Sequence, residues 1–221
     1  MNNYNYAIFD LDGTLLDTSQ GVIAAAVQAM KDYKKEVPDN TTLKKIIGPP
    51  MQVSFKNMFG LTDTEAMQMA DLFRNYYKTD NYLFQAIPYE GIYDVFSSLN
   101  ASGINIGVAT YKREDYAIKL LHKNKFDKYT QYMYGSDFAG KLKKKDIIEL
   151  CLKEMGCLDY SKAVYIGDSD SDGSAANLVG VDFIAVNYGF GFSKNDDSKK
   201  YNPIGIAEKC MDIKDILLCS R

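Results

Sequence analysis

Histidine is almost absent from this 221-residue chain, His122 being the single one. That removes chemistry that depends on several imidazoles, as metal ligands or as relayed bases. His122 falls in the helical stretch Tyr116 to Lys123, where a surface or partly packed position is expected. Cysteine is sparse as well. Cys151, Cys157, Cys210 and Cys219 form neither a C-x-x-C pair nor a zinc-like spacing, and no Cys-x5-Arg phosphatase loop occurs, so they read as reduced structural thiols. No apolar run reaches the 18 or so residues needed to span a bilayer. A surplus of positive charge is missing too: 26 Lys and Arg against 29 Asp and Glu leave a net charge of −3, and so no global field for nucleic acid or an anionic membrane. The polar amino terminus runs straight into a strand without a signal-peptide pattern, and the expectation is a cytoplasmic protein.

What is present describes a globule able to bury a full core: 46% hydrophobic and 25% charged residues. The apolar run Tyr6 to Phe9 predicts a buried strand. Beyond Asp17 the spacing turns helical. Val22, Ala25, Ala26, Ala29, Met30 and Tyr33 share one face of a helix ended by Pro38, and further helices are predicted over 41–47, 51–59 and 62–77. No strand signal interrupts this block, so residues 17–87 are expected to form a separate helical domain inserted into a core built from 1–16 and 88–221. From Pro88 strand and helix alternate. Strands are predicted at 104–109, 132–134, 163–166 and 183–186, and helices at 91–100, 113–123, 144–155, 173–179 and 204–218. Alternation of this kind predicts an α/β fold, a Rossmann-like three-layer core in which helices cover both faces of a parallel sheet.

Three of the apolar strands end in polar residues. Asp10 and Asp12 follow the first, with Gly13 permitting a sharp turn; Thr110 follows the second; Asp168, Asp170 and Asp172 follow a later one. In a parallel sheet these ends share one edge, the edge at which ligands bind. Two carboxylates about 4 Å apart repel by about 4 kcal/mol at an effective dielectric of about 20, so a cluster of this kind calls for a cation. An all-oxygen site with room for water and a phosphate suits Mg²⁺. With the charge neutralised, one carboxylate can attack phosphorus to form an aspartyl-phosphate and a second can act as acid and then base, parts that fit Asp10 and Asp12. The lysine run Gly140-Lys-Leu-Lys-Lys-Lys-Asp146 adds four candidate cations, Lys141, Lys143, Lys144 and Lys145. Lysines at a helix amino terminus oppose its dipole, so a purely structural role explains them poorly.

Two local patterns compete. Asp168-Ser-Asp-Ser-Asp-Gly173 opens like an EF-hand loop, but it follows an apolar strand and carries Val179 where a bidentate Glu belongs. Gly135 to Leu142 matches a P-loop except that Leu142 replaces the Ser or Thr that would hold magnesium. Gly189-Phe-Gly191 reads as a turn.

Asp10-Leu-Asp-Gly-Thr-Leu-Leu-Asp17, Thr110, the lysines near 144 and Gly167-Asp168-x-x-x-Asp172 resemble, in order, the four motifs of the haloacid dehalogenase superfamily of phosphatases. The resemblance implies Asp10 as nucleophile and metal ligand, and Asp12 as acid/base with its main-chain carbonyl on the metal. It implies Thr110 as phosphate donor, Asp168 as metal ligand and Asp172 as ligand or supporting partner. Gly13, Tyr111, Lys144 and Lys141 complete the expected substrate contacts, with Lys144 chosen as the motif lysine and Lys141 as runner-up. The usual Lys-Pro pair is missing, and Tyr111-Lys112 stands where an Asn is common. The helical insertion resembles that family's cap, and Ile47-Gly-Pro-Pro50 and Tyr89-Glu-Gly-Ile92 are most similar to phosphoglycolate phosphatases and their pyrophosphatase and nucleotidase relatives. The implied partner is a small phosphorylated metabolite, the implied cofactor Mg²⁺; a phosphomutase or a non-catalytic phosphate-binding protein on the same scaffold are the alternatives. A substrate carboxylate would find its cation among Lys44, Lys45, Lys56, Lys112 and Arg113.

Overall fold

The computed structural model describes residues 4–79, 82–138, 141–192 and 197–218. The chain folds as two compact units, one of residues 1–16 and 88–221, the other of 17–87. The larger unit is built on a six-stranded parallel sheet of β1 (Tyr6–Phe9), β4 (Asn105–Arg113), β5 (Tyr132–Ser136), β6 (Ala163–Gly167), β7 (Asp182–Val186) and β8 (Gly205–Ala207). β2 (Leu16–Asp17) and β3 (Ile87–Pro88) pair separately where the chain passes from one unit to the other and back.

The strand order β5-β4-β1-β6-β7-β8 runs outward from β1 in both directions. This is the doubly wound arrangement, and its topological switch point lies between β1 and β6, where a crevice opens at the carboxyl ends of the strands. Register fixes what stands at that edge. Phe9 pairs with Val108 on one side and Ile166 on the other, so Asp10 stands level with Ala109 and Gly167, and Thr110 and Asp168 follow one residue later. The Asp10 N–H donates to Ile166 O at 2.9 Å, which carries the ladder one residue beyond the strand.

Alternation along β1 decides which helices cover which face. Ile8 belongs to an apolar cluster with Ile147, Ile148, Ala175 and Ala176 of α7 (Lys144–Glu154) and α8 (Asp170–Val179). Phe9 turns the other way, onto Phe96 of α5 (Ile92–Ala101) with ring centroids 4.9 Å apart, and α5 packs on α9 (Cys210–Leu218). Both side chains are fully buried, as befits a sheet covered on both sides. The remaining helix of this unit, α6 (Glu114–Lys123), packs on β4 and β5.

The smaller unit is helical: α1 (Ser19–Asp32), α2 (Asn40–Lys44), α3 (Met51–Phe59) and α4 (Asp63–Thr79). Ala25, Ala26, Ala29 and Met30 of α1 and Met69, Ala70, Phe73 and Tyr77 of α4 are buried, and these two helices pack on each other.

Among the boundaries that differ from the sequence expectation, three have a clear physical cause. The predicted helix 204–218 is a short strand, β8, followed by α9; Ile204 N–H donates to Phe183 O, and the open edge of β7 claims a segment too short to show a period of its own. β4 does not stop at Thr110 but continues through a register shift to Arg113, which pairs with Ser136. α8 starts at Asp170 and not at Gly173, because Ser169 and Asp172 close its amino end.

Candidate active site

Each functional side chain comes from a strand end, the turn after one, or the first turn of a helix. Asp10 and Asp12 lie on the turn after β1, Thr110 and Lys112 on the shifted part of β4, Asp168 directly after β6, Asp172 in the first turn of α8, and Lys144 is the first residue of α7. The shift in β4 matters because an irregular register re-aims side chains near a site. Asp10, Thr110, Lys144, Asp168 and Asp172 are all buried.

Lys144 is the hub. Its Nζ lies 3.0 Å from Asp10 Oδ1 and also pairs with Asp172 Oδ1. Among the other lysines of the run, Lys141 and Lys143 are exposed, and Lys145 reaches the neighbouring Asp146 at 3.6 Å. Asp146 also accepts the Lys143 N–H at 2.8 Å, a cap that offsets the unfavourable charge at this helix end. Asp172 is saturated: Oδ2 accepts the Ser169 N–H at 2.9 Å and its hydroxyl at 2.6 Å, while Oδ1 has Lys144 and, at 3.3 Å, the Tyr165 hydroxyl. The EF-hand resemblance of this segment therefore resolves into a helix cap.

Asp12 stands apart from the acid cluster. Both of its oxygens lie 3.2 Å from Lys112 Nζ. Two of the other cations considered for a substrate carboxylate have local partners: Arg113 is held by Asp115 and stacks on Tyr116, and Lys56 pairs with Asp63 at 2.7 Å, while Lys44 and Lys45 are exposed. Tyr111 packs, partly buried, against the apolar cluster that includes α7 and α8. Gly13 has φ +80°, and a Cβ there would lie 2.2 Å from Asp168 Oδ2, so the first turn and Asp168 meet at a distance only glycine permits.

Burial and crowding shape the electrostatics. Desolvation raises the Asp10 carboxyl from 3.8 to about 6, with Asp172 and Asp12 adding to the rise while Lys144 and a hydrogen bond from Thr110 oppose it. Asp168 is raised well above the usual carboxylate range, by burial first and then by Asp172 and Asp10. Burial alone would lower Lys144, but Asp10 and Asp172 outweigh it and the ammonium is held above its ordinary value. Asp10, Asp168 and Asp172 can each present an oxygen within 4.8 Å of the others. A buried, crowded set of hard oxygen donors of this kind fits a magnesium-sized cation.

Three contributors were not legible from sequence motifs. Tyr165 donates to Ala109 O at 2.7 Å and floors the cluster beneath Asp172. Lys112 meets Asp12 across 100 positions of chain. The Gly189 to Gly191 turn wraps Asp168, whose Oδ2 accepts the N–H groups of Phe190 at 2.6 Å and Gly191 at 3.1 Å. Its two glycines in three residues are the only trace of this in the sequence.

Comparison with known proteins agrees with this geometry. The family profile described as haloacid dehalogenase-like hydrolase matches residues 7–186. A 5'-nucleotidase of Pseudomonas aeruginosa is 29% identical over 90% of this chain and 89% of its own length. A phosphoglycolate phosphatase of Pseudomonas fluorescens is 27% identical over 83% of this chain and 69% of its own length. The crystal structure of a predicted phosphatase from Clostridium acetobutylicum superposes with a TM-score of 0.90 at 30% identity, covering 97% of this chain and 98% of that one. With a six-stranded doubly wound core and a family match over most of its length, the chain belongs to the haloacid dehalogenase-like hydrolases.

Proposed function

We infer that this chain, a phosphatase of the haloacid dehalogenase type, hydrolyses a small phosphomonoester through an aspartyl-phosphate on Asp10. The observation that carries the reading is the Asp10–Lys144–Asp172 chain beside Asp168 at the switch point of the sheet. Asp10 Oδ attacks phosphorus and displaces the alcohol, and Asp12 gives that alcohol its proton. Asp12 then takes a proton from the water that attacks the phosphorus of the aspartyl-phosphate; inorganic phosphate leaves and the Asp10 carboxylate is restored. Lys144 holds Asp10 in line and keeps a positive charge beside the phosphoryl oxygens, and the Thr110 hydroxyl donates to them. Lys112 anchors the Asp12 carboxylate. Asp10 and Asp168 would hold Mg²⁺, which when bound supplies charge neutralisation and polarises the phosphoryl group. The saturated oxygens of Asp172 favour a supporting role, fixing Lys144.

The helical unit 17–87, in the role of a cap, selects the leaving group. Phosphoglycolate is the favoured substrate on the resemblance of the inserted unit and its flanks, Ile47 to Pro50 and Tyr89 to Ile92, and the similarity to a 5'-nucleotidase makes nucleoside monophosphates its first competitors. The test is phosphate release from phosphoglycolate, nucleoside monophosphates, sugar phosphates and pyrophosphate, with Mg²⁺ and with chelator, for wild type and Asp10→Asn. Magnesium-dependent release on a small phosphomonoester, lost in Asp10→Asn, is expected. Release that survives in Asp10→Asn rules out the nucleophile.

A further inference from the structure

The segment Tyr188 to Phe192, which follows β7, closes over Asp168 with three successive amides. Phe190 and Gly191 N–H donate to Oδ2, and Phe192 N–H donates to the Asp168 carbonyl at 2.7 Å. The fit leaves no room for side chains. A Cβ on Gly189 would lie 2.4 Å from Asp168 Cβ, from its Oδ2 and from Gly13 O; one on Gly191 would lie 2.7 Å from Asp168 O. The strap is anchored at its start, where the Tyr188 hydroxyl donates to Thr14 O at 3.0 Å and the ring packs on Tyr89 with centroids 4.8 Å apart. It therefore ties Asp168 to the turn that carries Asp10 and Asp12.

One oxygen of Asp168 is thus enclosed by two N–H donors and by the Gly13 backbone, and only Oδ1 is left without these contacts. We propose that the Tyr188–Phe192 strap makes Asp168 a one-oxygen ligand and thereby sets the cation preference of the site, with Gly189 and Gly191 as positioning residues. Mg²⁺ takes six oxygens in a tight octahedron and accepts carboxylates singly; Ca²⁺ takes six to eight and readily uses both oxygens of one carboxylate. A carboxylate whose second oxygen is pinned to backbone amides suits the first ion and penalises the second. Outer contacts that orient a ligand in this way are worth about 10- to 100-fold in metal affinity.

This inference rests on the cation reading above, and its test separates the two. Mg²⁺ and Ca²⁺ binding is measured by titration calorimetry on the wild-type protein and on Gly189→Ala, without substrate. The expected result is a preference for Mg²⁺ in the wild type, with Gly189→Ala weakening Mg²⁺ binding about 10- to 100-fold and narrowing the gap to Ca²⁺. Unchanged affinities for both ions in folded Gly189→Ala overturn the strap. Undetectable Mg²⁺ binding by wild type overturns the cation reading, and the strap inference with it. Should Gly189→Ala not fold, the wild type decides by NMR: scalar couplings across the hydrogen bonds from the Phe190 and Gly191 amides to the Asp168 carboxylate are expected to persist when Mg²⁺ is added. Their loss on Mg²⁺ loading shows both oxygens turning to the ion and contradicts the proposal.

Discussion

Asp10 holds opposing demands in one side chain. It is buried beside two further carboxylates, and although Lys144 and Thr110 favour its charged form, burial pushes its carboxyl up from 3.8 to about 6. The linkage has a definite sign. Between those values the folded, metal-free protein binds a proton that the unfolded chain lacks, so this group's contribution to stability falls as pH rises from about 4 through about 6. Replacing the carboxyl with a neutral amide removes that penalty. Asp10→Asn is therefore expected to melt at a higher temperature than wild type above pH 6 in chelator, with the difference shrinking as the pH is lowered toward 4; calorimetry across that range checks it. A variant that is less stable than wild type at pH 8 in chelator contradicts this electrostatic account of Asp10. The residues that set this balance were partly visible in the sequence. Asp10 and Asp168 directly follow apolar strands and Asp12 lies on the same turn as Asp10, and in a parallel sheet those ends share one edge. The pairing of Lys112 with Asp12 was not visible, because two residues 100 positions apart meet only once β1 and β4 are neighbours.

At the scale of elements, the site is held by what lies behind it. β1 delivers Asp10 only if Ile8 and Phe9 are gripped on opposite faces, and Phe96 of α5 provides one grip, in ring contact with Phe9 at 4.9 Å and Phe126 at 5.3 Å. Phe96→Ala leaves a cavity in a fully packed region and is expected to cost about 3–5 kcal/mol of stability. Denaturant unfolding reads the loss, and a cost below about 1 kcal/mol would show that α5 is not what secures β1. Strands and helices of ordinary length were legible from their periods: β1, α3 and the strand β6 fall where the sequence places them. Short elements were not. Three residues of β8 carry no period, and the register shift of β4 depends on Gly135, where a Cβ would lie 2.5 Å from Glu114 Cα, a close approach that no local pattern announces.

For the whole molecule, the doubly wound order is what makes four distant segments into one site. Residues 10–13, 110–112, 144 and 168–172 are spread over most of the chain and meet because parallel strands put all their carboxyl ends on one edge. The convergence of the strand ends followed from alternation alone, whereas the choice of Lys144 over Lys141 rested on the family resemblance. The strap at 188–192 followed from neither, since its glycines look like any turn until Asp168 is set beneath them. The central claim is that hydrolysis passes through a phosphoryl group on Asp10. The most direct measurement is a rapid acid quench during turnover of the best substrate, followed by mass mapping of the peptides. The account predicts one phosphoryl group on the peptide that carries Asp10, formed and lost within the turnover and absent from Asp10→Asn. Full turnover with no phosphoryl group on that peptide would contradict it.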